Sequence, residues 1–259
     1  MTEKKILIGD LTVDYKIMGE GFPFLILHGW GGSSGSWIEV QKKISSKGYK
    51  VISLDLPGFG KTPSPITPWE IKDYSNLILN FIEKLNLGKI ILLGHSFGGR
   101  ISIKFASLYP GKLKFLILCD SAGIKRKYNF RQAVIFYIAQ VGNFLFSKRL
   151  LKRFKDMVRN IFYLVIRQRD YTKVKGAMRE TFKKVVDEDL LPDLSKINTK
   201  TLIIWGGKDK AVPIEDGYLI NEKIKNSVLE IFPNVGHTPN LEVPEKLSEL
   251  VLKFLKTEK

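Results

Sequence analysis

Apolar runs of strand length alternate along this chain with segments in which apolar residues recur every three or four positions. The runs occupy residues 23–27, 49–54, 90–93, 113–119, 201–205 and 228–232. Continuous apolar runs of this length are typical of strands that are buried on both faces of a sheet. The alternation of strand and helix patterns predicts an α/β fold, with a mainly parallel sheet covered by helices on both faces.

The first twenty residues show a different pattern. Residues 4–9 and 11–18 have strand composition, and in the second segment Val13, Tyr15 and Ile17 alternate with polar residues. A Gly9-Asp10 turn separates the two segments. The pattern predicts a β-hairpin that leads into the sheet.

The helix before the central strand has a clear apolar stripe. Its apolar residues, at helical spacing, are Ile71, Tyr74, Leu77, Ile78, Phe81, Ile82 and Leu85. Residues 67–70 (Thr-Pro-Trp-Glu) match a capping box with proline at the first helical position, which predicts that this helix begins at Pro68. Helices are also predicted near residues 37–44 and 215–225 and at the end of the chain.

The alternation is interrupted between residues 121 and 195, where only helical patterns occur. We expect this segment to be a helical cap inserted into a core domain formed by residues 1–120 and 196–259. Ligands of open α/β sheets bind beyond the carboxyl ends of the strands. A cap at this point in the chain would therefore cover the ligand site.

A glycine-flanked serine follows the apolar run 90–93. Residues 94–98 (Gly-His-Ser-Phe-Gly) match the G-x-S-x-G pattern of a nucleophile elbow, and a helical pattern follows from residue 101 to residue 108. A serine on so tight a turn has strained backbone, and side chains at the flanking positions would collide with neighbouring elements. Ser96 is therefore the candidate nucleophile.

A serine nucleophile needs a base, and the sequence has only three histidines. His237 lies in a loop after the last predicted strand, whereas His28 and His95 are better placed to support neighbouring backbone. Asp209 follows the strand at 201–205 and gives the chain order serine, acid, histidine. Asp120, which follows the strand at 113–119, is the rival acid.

The same chemistry needs donors for a developing oxyanion. The glycine-rich residues 28–32 (His-Gly-Trp-Gly-Gly) follow a predicted strand and allow backbone N–H groups to face a cavity. We expect the two donors to be the backbone N–H groups of Trp30 and Phe97. No residue pattern implies a cofactor or a metal.

Charge is the unusual feature of the composition. The 259 residues carry a formal net charge of +16, and residues 125–184 hold 17 Lys or Arg against three acidic residues. Within that stretch, residues 148–159 could form an amphipathic helix. The charge is interpreted either as a solvated cap surface, which is favoured, or as an attraction to an anionic substrate or an anionic membrane surface. No nucleic-acid-binding motif accompanies it, so no nucleic-acid partner is expected.

Cysteine content bears on the compartment. The single cysteine, Cys119, excludes an internal disulfide and fits a reducing cytoplasm. The first residues lack the apolar core of a signal peptide. We therefore expect a cytoplasmic protein. Hydrophobic residues make up 44% of the chain, and the sequence leaves the oligomeric state open.

The motifs together resemble the α/β-hydrolase superfamily, in the branch that carries a helical cap between the sixth and seventh strands. They are residues 28–32, 55–60, 94–99, 205–209, 212–213, 236–237 and 242–245. The resemblance implies an eight-stranded sheet and a triad of Ser96, Asp209 and His237. Relatives that open epoxides or displace halide have aspartate at the elbow, so Ser96 favours acyl transfer.

The leading hypothesis is a serine carboxylic-ester hydrolase acting on small to medium, largely apolar acyl groups. Lactone, thioester or carbon–carbon bond hydrolysis with the same triad is an alternative. The resemblance disfavours the last, because relatives that cleave carbon–carbon bonds often carry tryptophan after the histidine, where this chain has Thr238. A ligand-binding or membrane-surface protein that retains the fold is the alternative from another class.

Overall fold

An eight-stranded sheet forms the centre of the computed structural model, which describes residues 1–125 and 176–256. The strands are β1 (Thr2–Ile8), β2 (Leu11–Met18), β3 (Phe22–Leu27), β4 (Tyr49–Leu54), β5 (Ile90–His95), β6 (Leu113–Cys119), β7 (Thr201–Gly206) and β8 (Ser227–Phe232). Their order across the sheet is β1-β2-β4-β3-β5-β6-β7-β8. β2 pairs antiparallel with β1 and β4, and the other neighbours are parallel. The predicted hairpin and the mainly parallel sheet are confirmed.

Helices cover both faces of this sheet. Those in the described residues are α1 (Ile38–Ser45), α2 (Ile71–Lys84), α3 (Phe97–Leu108), α4 (Ala177–Asp187), α5 (Leu191–Leu194), α6 (Ile214–Lys223), α7 (Pro239–Glu242) and α8 (Pro244–Leu255). Short 3-10 helices occupy Ser34–Trp37 and Pro110–Lys112. α2 and α3 pack together on one face, whereas α1 packs on α8.

The apolar runs are continuous because each central strand feeds two cores. In β3, Leu25 and Leu27 belong to one core, and Phe24 and Ile26 belong to the other. All four side chains are completely buried. Successive side chains of a strand point to opposite faces, so a strand covered on both sides has no position left for a polar residue.

The start of α2 differs from the prediction. The helix begins at Ile71, not at Pro68, and Glu70 is its N-cap. The Trp69 N–H donates to Thr181 Oγ1 at 2.9 Å, and the Glu70 N–H donates to Asp73 Oδ2 at 2.8 Å. Because these tertiary and local contacts satisfy the N–H groups before Ile71, residues 67–70 stay outside the helix.

The chain leaves the sheet after β6 and returns before β7, and the described residues at the two ends of this excursion are bonded to each other. The Leu190 N–H donates to the Gly123 carbonyl at 2.9 Å, and the Lys125 N–H donates to Asp189 Oδ1 at 3.1 Å. The limits 121–195 of the cap stay a prediction. Most of that segment, including the basic residues 148–159, lies outside the described residues.

Within residues 1–125 and 176–256, no helix combines the length and the apolar character that crossing a bilayer would require.

Candidate active site

Ser96 stands on a strained turn between β5 and α3. Its backbone has φ 53° and ψ −110°, a combination that side-chain-bearing residues rarely adopt. The Ser96 N–H donates to the Cys119 carbonyl of β6, and the Ser96 carbonyl accepts from the N–H groups of Arg100 and Ala122. These bonds hold the turn in a conformation that would cost free energy in isolation.

Two glycines allow this turn to pack closely. A Cβ on Gly94 would collide with the Gly98 carbonyl and with Ser102, and a Cβ on Gly98 would collide with the Leu27 carbonyl of β3. The helix that follows Ser96 can therefore lie directly against the sheet only because both positions lack a side chain.

His237 bridges Ser96 and Asp209. His237 Nε2 lies 3.0 Å from Ser96 Oγ, and His237 Nδ1 lies 2.7 Å from Asp209 Oδ2. A carboxylate only accepts, so Nδ1–H donates to Asp209 and Nε2 is left to accept the Ser96 hydroxyl proton. The structure thus brings together the three residues that the sequence selected, from loops that follow β5, β7 and β8.

Two backbone hydrogen bonds fix the orientation of the Asp209 carboxylate. Its Oδ1 accepts the N–H groups of Ala211 at 2.6 Å and Val212 at 3.0 Å, and its side chain is completely buried. Oδ2 is consequently directed at His237. Burial alone would raise the pKa of Asp209, but the hydrogen bond and charge of His237 outweigh it and lower this pKa.

Asp120, the rival acid, lies close to Asp209 and His237, but the hydrogen bond of His237 Nδ1 goes to Asp209. Its Oδ1 accepts the Gly206 N–H at 2.8 Å, and the carboxylates of Asp120 and Asp209 approach within 4.8 Å of each other. Burial and the charge of Asp209 raise the pKa of Asp120 to about 7, although the bond from Gly206 opposes the shift. Asp209, and not Asp120, therefore holds His237 Nδ1.

The loop that carries His237 is anchored on both sides. Glu242 of α7 accepts the Gly236 N–H at 2.8 Å and the Thr238 N–H at 3.2 Å, which are the residues flanking the histidine. The His237 carbonyl accepts from His95 Nε2 at 2.7 Å, and the two imidazole rings are 5.0 Å apart. His95, which we expected to support neighbouring backbone, thus contacts the backbone of the candidate base.

His28 supports the glycine-rich loop. His28 Nδ1–H donates to the Gly29 carbonyl at 2.8 Å, and Nε2 accepts the Leu56 N–H at 3.0 Å. Burial lowers the pKa of His28 below its usual value of 6.5. Asp55 accepts the N–H groups of Ser34 and Lys61 and so ties the same loop to the turn that follows β4.

The predicted oxyanion donors lie beside Ser96. Trp30 and Phe97 both line the cavity in front of Ser96, and their rings are 5.0 Å apart. The Phe97 N–H is the first of α3 and has no intrahelical partner. The hydrogen bonds among the described residues include none from the N–H of Trp30 or Phe97. The assignment of Trp30 and Phe97 as oxyanion donors stays a prediction.

A cavity of about 430 Å³ opens in front of Ser96 and His237. Its apolar wall includes Trp30, Phe97, Phe182, Val185, Val212 and Leu241. The Trp30 and Phe182 rings are 4.9 Å apart, which brings α4 against the glycine-rich loop. A space of this size and lining suits a small, mainly apolar ligand.

Asp120, Asp209 and His237 are also the one group in residues 1–125 and 176–256 whose ligand atoms are close enough together to hold a metal ion. His237 Nδ1 already bonds Asp209 Oδ2, and Asp120 Oδ1 already accepts the Gly206 N–H. A metal at this point would have to displace the bond between His237 and Asp209, so the arrangement fits a triad better than a metal centre.

Sequence similarity agrees with this architecture. A family model described as the alpha/beta hydrolase fold matches residues 23–145. The uncharacterized hydrolase YugF of Bacillus subtilis is 30% identical over 247 residues, which are 89% of this chain and 88% of YugF. The chain belongs to the α/β-hydrolase family.

One further relative and one solved structure are similar to this α/β hydrolase. The 2-hydroxy-6-oxononadienedioate/2-hydroxy-6-oxononatrienedioate hydrolase 1 of Pseudomonas putida is 28% identical over 267 residues, covering 95% of this chain and 92% of the relative. The esterase EaEST of Exiguobacterium antarcticum shares the fold, with a TM-score of 0.77 at 23% identity over 99% of this chain and 100% of the esterase.

Sequence reasoning did not select two residues of the site in this hydrolase. Glu242 was noted only as part of a motif, although it anchors both neighbours of His237. Arg100 lines the cavity and lies one helical turn after Ser96. A charged residue within the otherwise apolar stripe of the elbow helix was the signal that could have singled it out.

The pH dependence of this hydrolase should follow His237. Burial alone would lower the pKa of His237, but the hydrogen bond and charge of Asp209, with Asp120 and Glu242, raise it above 6.5. Only the neutral imidazole can accept the Ser96 proton. We therefore expect kcat/KM to fall about tenfold per pH unit on the acid side, with a midpoint above pH 6.5. Ester hydrolysis followed at the isosbestic wavelength of p-nitrophenol measures it.

Asp120 provides the control for this profile, because its pKa of about 7 lies in the same range. If His237 is the titrating group, the acid limb persists in Asp120→Asn. A midpoint at or below 6.5 in the unaltered protein, or loss of the limb in Asp120→Asn, would contradict the assignment to His237.

Proposed function

We propose that this chain is a serine hydrolase that cleaves carboxylic esters of small to medium, largely apolar acyl groups through an acyl-enzyme. The observation that carries the proposal is the continuous hydrogen-bonded series Ser96–His237–Asp209, at 3.0 and 2.7 Å, beside an apolar cavity. Serine, histidine and acid in this geometry are the groups that acyl transfer requires.

In the proposed first half-reaction, Ser96 Oγ attacks the ester carbonyl while His237 Nε2 takes the hydroxyl proton. The N–H groups of Trp30 and Phe97 stabilise the oxyanion, and each such donor typically contributes about 3–4 kcal/mol to the transition state. The bond to the alcohol oxygen then breaks, and His237 returns the proton to the leaving alcohol. The acyl group remains on Ser96.

In the second half-reaction, water attacks the acyl-enzyme and gives its proton to His237. The bond to Ser96 Oγ breaks, Ser96 regains a proton from His237, and the carboxylic acid leaves. Asp209 stays ionised throughout, because the contact with His237 lowers its pKa. It stabilises the imidazolium that forms in both halves.

A burst experiment tests this proposal. Mixing the protein with p-nitrophenyl butyrate should release p-nitrophenol in a rapid phase whose amplitude matches the protein concentration, if deacylation is slower than acylation. Mass spectrometry of the quenched protein should show a butyryl adduct on the peptide that contains Ser96. A burst with no adduct on that peptide would exclude an acyl-enzyme at Ser96.

Carbon–carbon bond hydrolysis is the second candidate, favoured by the 28% identity to the Pseudomonas putida hydrolase named for a 2-hydroxy-6-oxo-dienedioate. Thr238 favours the ester instead, because relatives that cleave carbon–carbon bonds often carry tryptophan at this position, directly after the histidine. A side-by-side assay with 2-hydroxy-6-oxononadienedioate and p-nitrophenyl butyrate separates the two. A kcat/KM at least tenfold higher for the dienedioate would replace the ester proposal.

A further inference from the structure

A buried arginine stands in the cavity wall and is not used by the proposed ester chemistry. Arg100 is only 6% exposed and lines the same cavity as Ser96 and His237. The Arg100 N–H donates to the Ser96 carbonyl at 3.2 Å, so Arg100 lies in the first turn of α3, next to the turn that carries Ser96.

The guanidinium group is incompletely satisfied. Nη2 donates to the Glu188 carbonyl, whereas Nε is buried and has no hydrogen-bond partner. Among the residues that the structure describes, no carboxylate forms an ion pair with Arg100. A buried charge without a counter-ion is costly, and a buried donor without an acceptor adds to that cost.

The two nearest carboxylates are engaged elsewhere. Glu188 forms an ion pair with Lys104 at 2.8 Å, and Asp189 Oδ1 accepts the N–H groups of Lys125 and Leu191. Burial lowers the pKa of Arg100 to about 10, and the charges of Glu188 and Asp189 only partly oppose this shift. The Arg100 guanidinium is therefore cationic at neutral pH, and no carboxylate of the described residues forms an ion pair with it.

We propose that Arg100 binds a carboxylate of the substrate, so that the preferred substrate combines an apolar chain with one anionic group a few bonds from the carbonyl that Ser96 attacks. The planar guanidinium presents paired donors that match a carboxylate. The bound anion supplies the missing counter-charge. This inference narrows the substrate class of the proposed ester hydrolase. Only its kinetic test, the comparison of ester substrates, rests on that proposed function.

Binding to Ser96→Ala tests the proposal without any turnover. Calorimetric titration with glutarate is compared with its neutral diamide, glutaramide, which has the same length. We expect tighter binding of glutarate, and a loss of about 10- to 100-fold of its affinity in Ser96→Ala/Arg100→Gln with little change for glutaramide. Arg179→Gln on the same background is the matched control, because Arg179 is an exposed arginine of α4 that does not line the cavity.

A structural role for Arg100 predicts a different result. In that case Arg100→Gln would lower the melting temperature and would weaken the binding of glutarate and of glutaramide alike. That outcome overturns the proposal. Equal affinity of Ser96→Ala for glutarate and glutaramide overturns it as well. If Arg100→Gln does not fold, Arg100→Lys, which keeps the charge but loses the fork, replaces it in the comparison.

Kinetics separate this inference from the proposed function. The unaltered protein should hydrolyse monomethyl glutarate with a higher kcat/KM than methyl valerate, and Arg100→Gln should remove the difference. Hydrolysis of neither ester would contradict the proposed function, whereas selective binding of glutarate by Ser96→Ala would still support the site at Arg100.

Discussion

Replacing Ser96 with alanine should lower the kcat/KM for p-nitrophenyl butyrate by about 10⁴-fold or more, because removal of the nucleophile leaves only binding and the oxyanion donors. The change removes one heavy atom, and the neighbouring bonds of Ser96 to the Cys119 carbonyl and from the N–H groups of Arg100 and Ala122 involve only backbone. The melting temperature should therefore stay close to that of the unaltered protein. Steady-state hydrolysis and thermal unfolding measure the two quantities.

Ser107→Ala is the matched control for this variant. Ser107 lies on α3, the helix that follows Ser96, and its hydroxyl donates to Asp193 Oδ1 at 3.0 Å outside the cavity. The kcat/KM of Ser107→Ala should remain within about twofold of the unaltered value, because the bond that is lost involves no residue of the triad and does not line the cavity. Comparable turnover by Ser96→Ala would remove Ser96 as the nucleophile.

Replacing Asp209 with asparagine should cost a similar factor of about 10⁴ in kcat for the same ester. An amide nitrogen facing His237 Nδ1 would donate instead of accepting, and the proton would move to Nε2. The histidine could then no longer accept the Ser96 proton. Loss of the negative charge should also lower the pKa of His237 and move the acid limb of the remaining activity to lower pH.

Asp120→Asn distinguishes the two acids. An asparagine at this position keeps an oxygen for the Gly206 N–H, which Asp120 Oδ1 now accepts at 2.8 Å. We expect the activity of Asp120→Asn to fall by less than about tenfold, because a buried neutral hydrogen bond of this kind contributes about 1 kcal/mol. The opposite order, with Asp120→Asn more damaging than Asp209→Asn, would assign the acid to Asp120.

The elements that the sequence predicted well are those with strong local signals. The buried strands carry apolar residues at every position because they feed two cores, as Phe24, Leu25, Ile26 and Leu27 show. The elbow could be predicted because its glycines form a local sequence motif, although the space at Gly98 is limited by Leu27 of the distant strand β3.

What could not be predicted depends on distant residues. The start of α2 depends in part on Thr181, which lies 112 positions after Trp69. Asp120 and Asp209 both follow buried strands, and only the turn at Ala211 and Val212 orients one of them toward His237. The burial of Arg100 arises from tertiary packing, which no local pattern encodes. The anchoring of His237 by Glu242 is local, because Glu242 lies four and six positions after its two partners, Thr238 and Gly236.

The bonds at the two ends of the excursion after β6 affect how this protein can change over evolutionary time. Gly123 is hydrogen-bonded to Leu190, and Lys125 is hydrogen-bonded to Asp189. These bonds hold the two ends of the excursion together before the chain returns to β7. Insertions and deletions are best tolerated where the flanking backbone is already secured. Residues between these points can thus diverge in length and composition while Ser96, Asp209 and His237 keep their spacing, and new substrate preferences can arise over unaltered hydrolytic machinery.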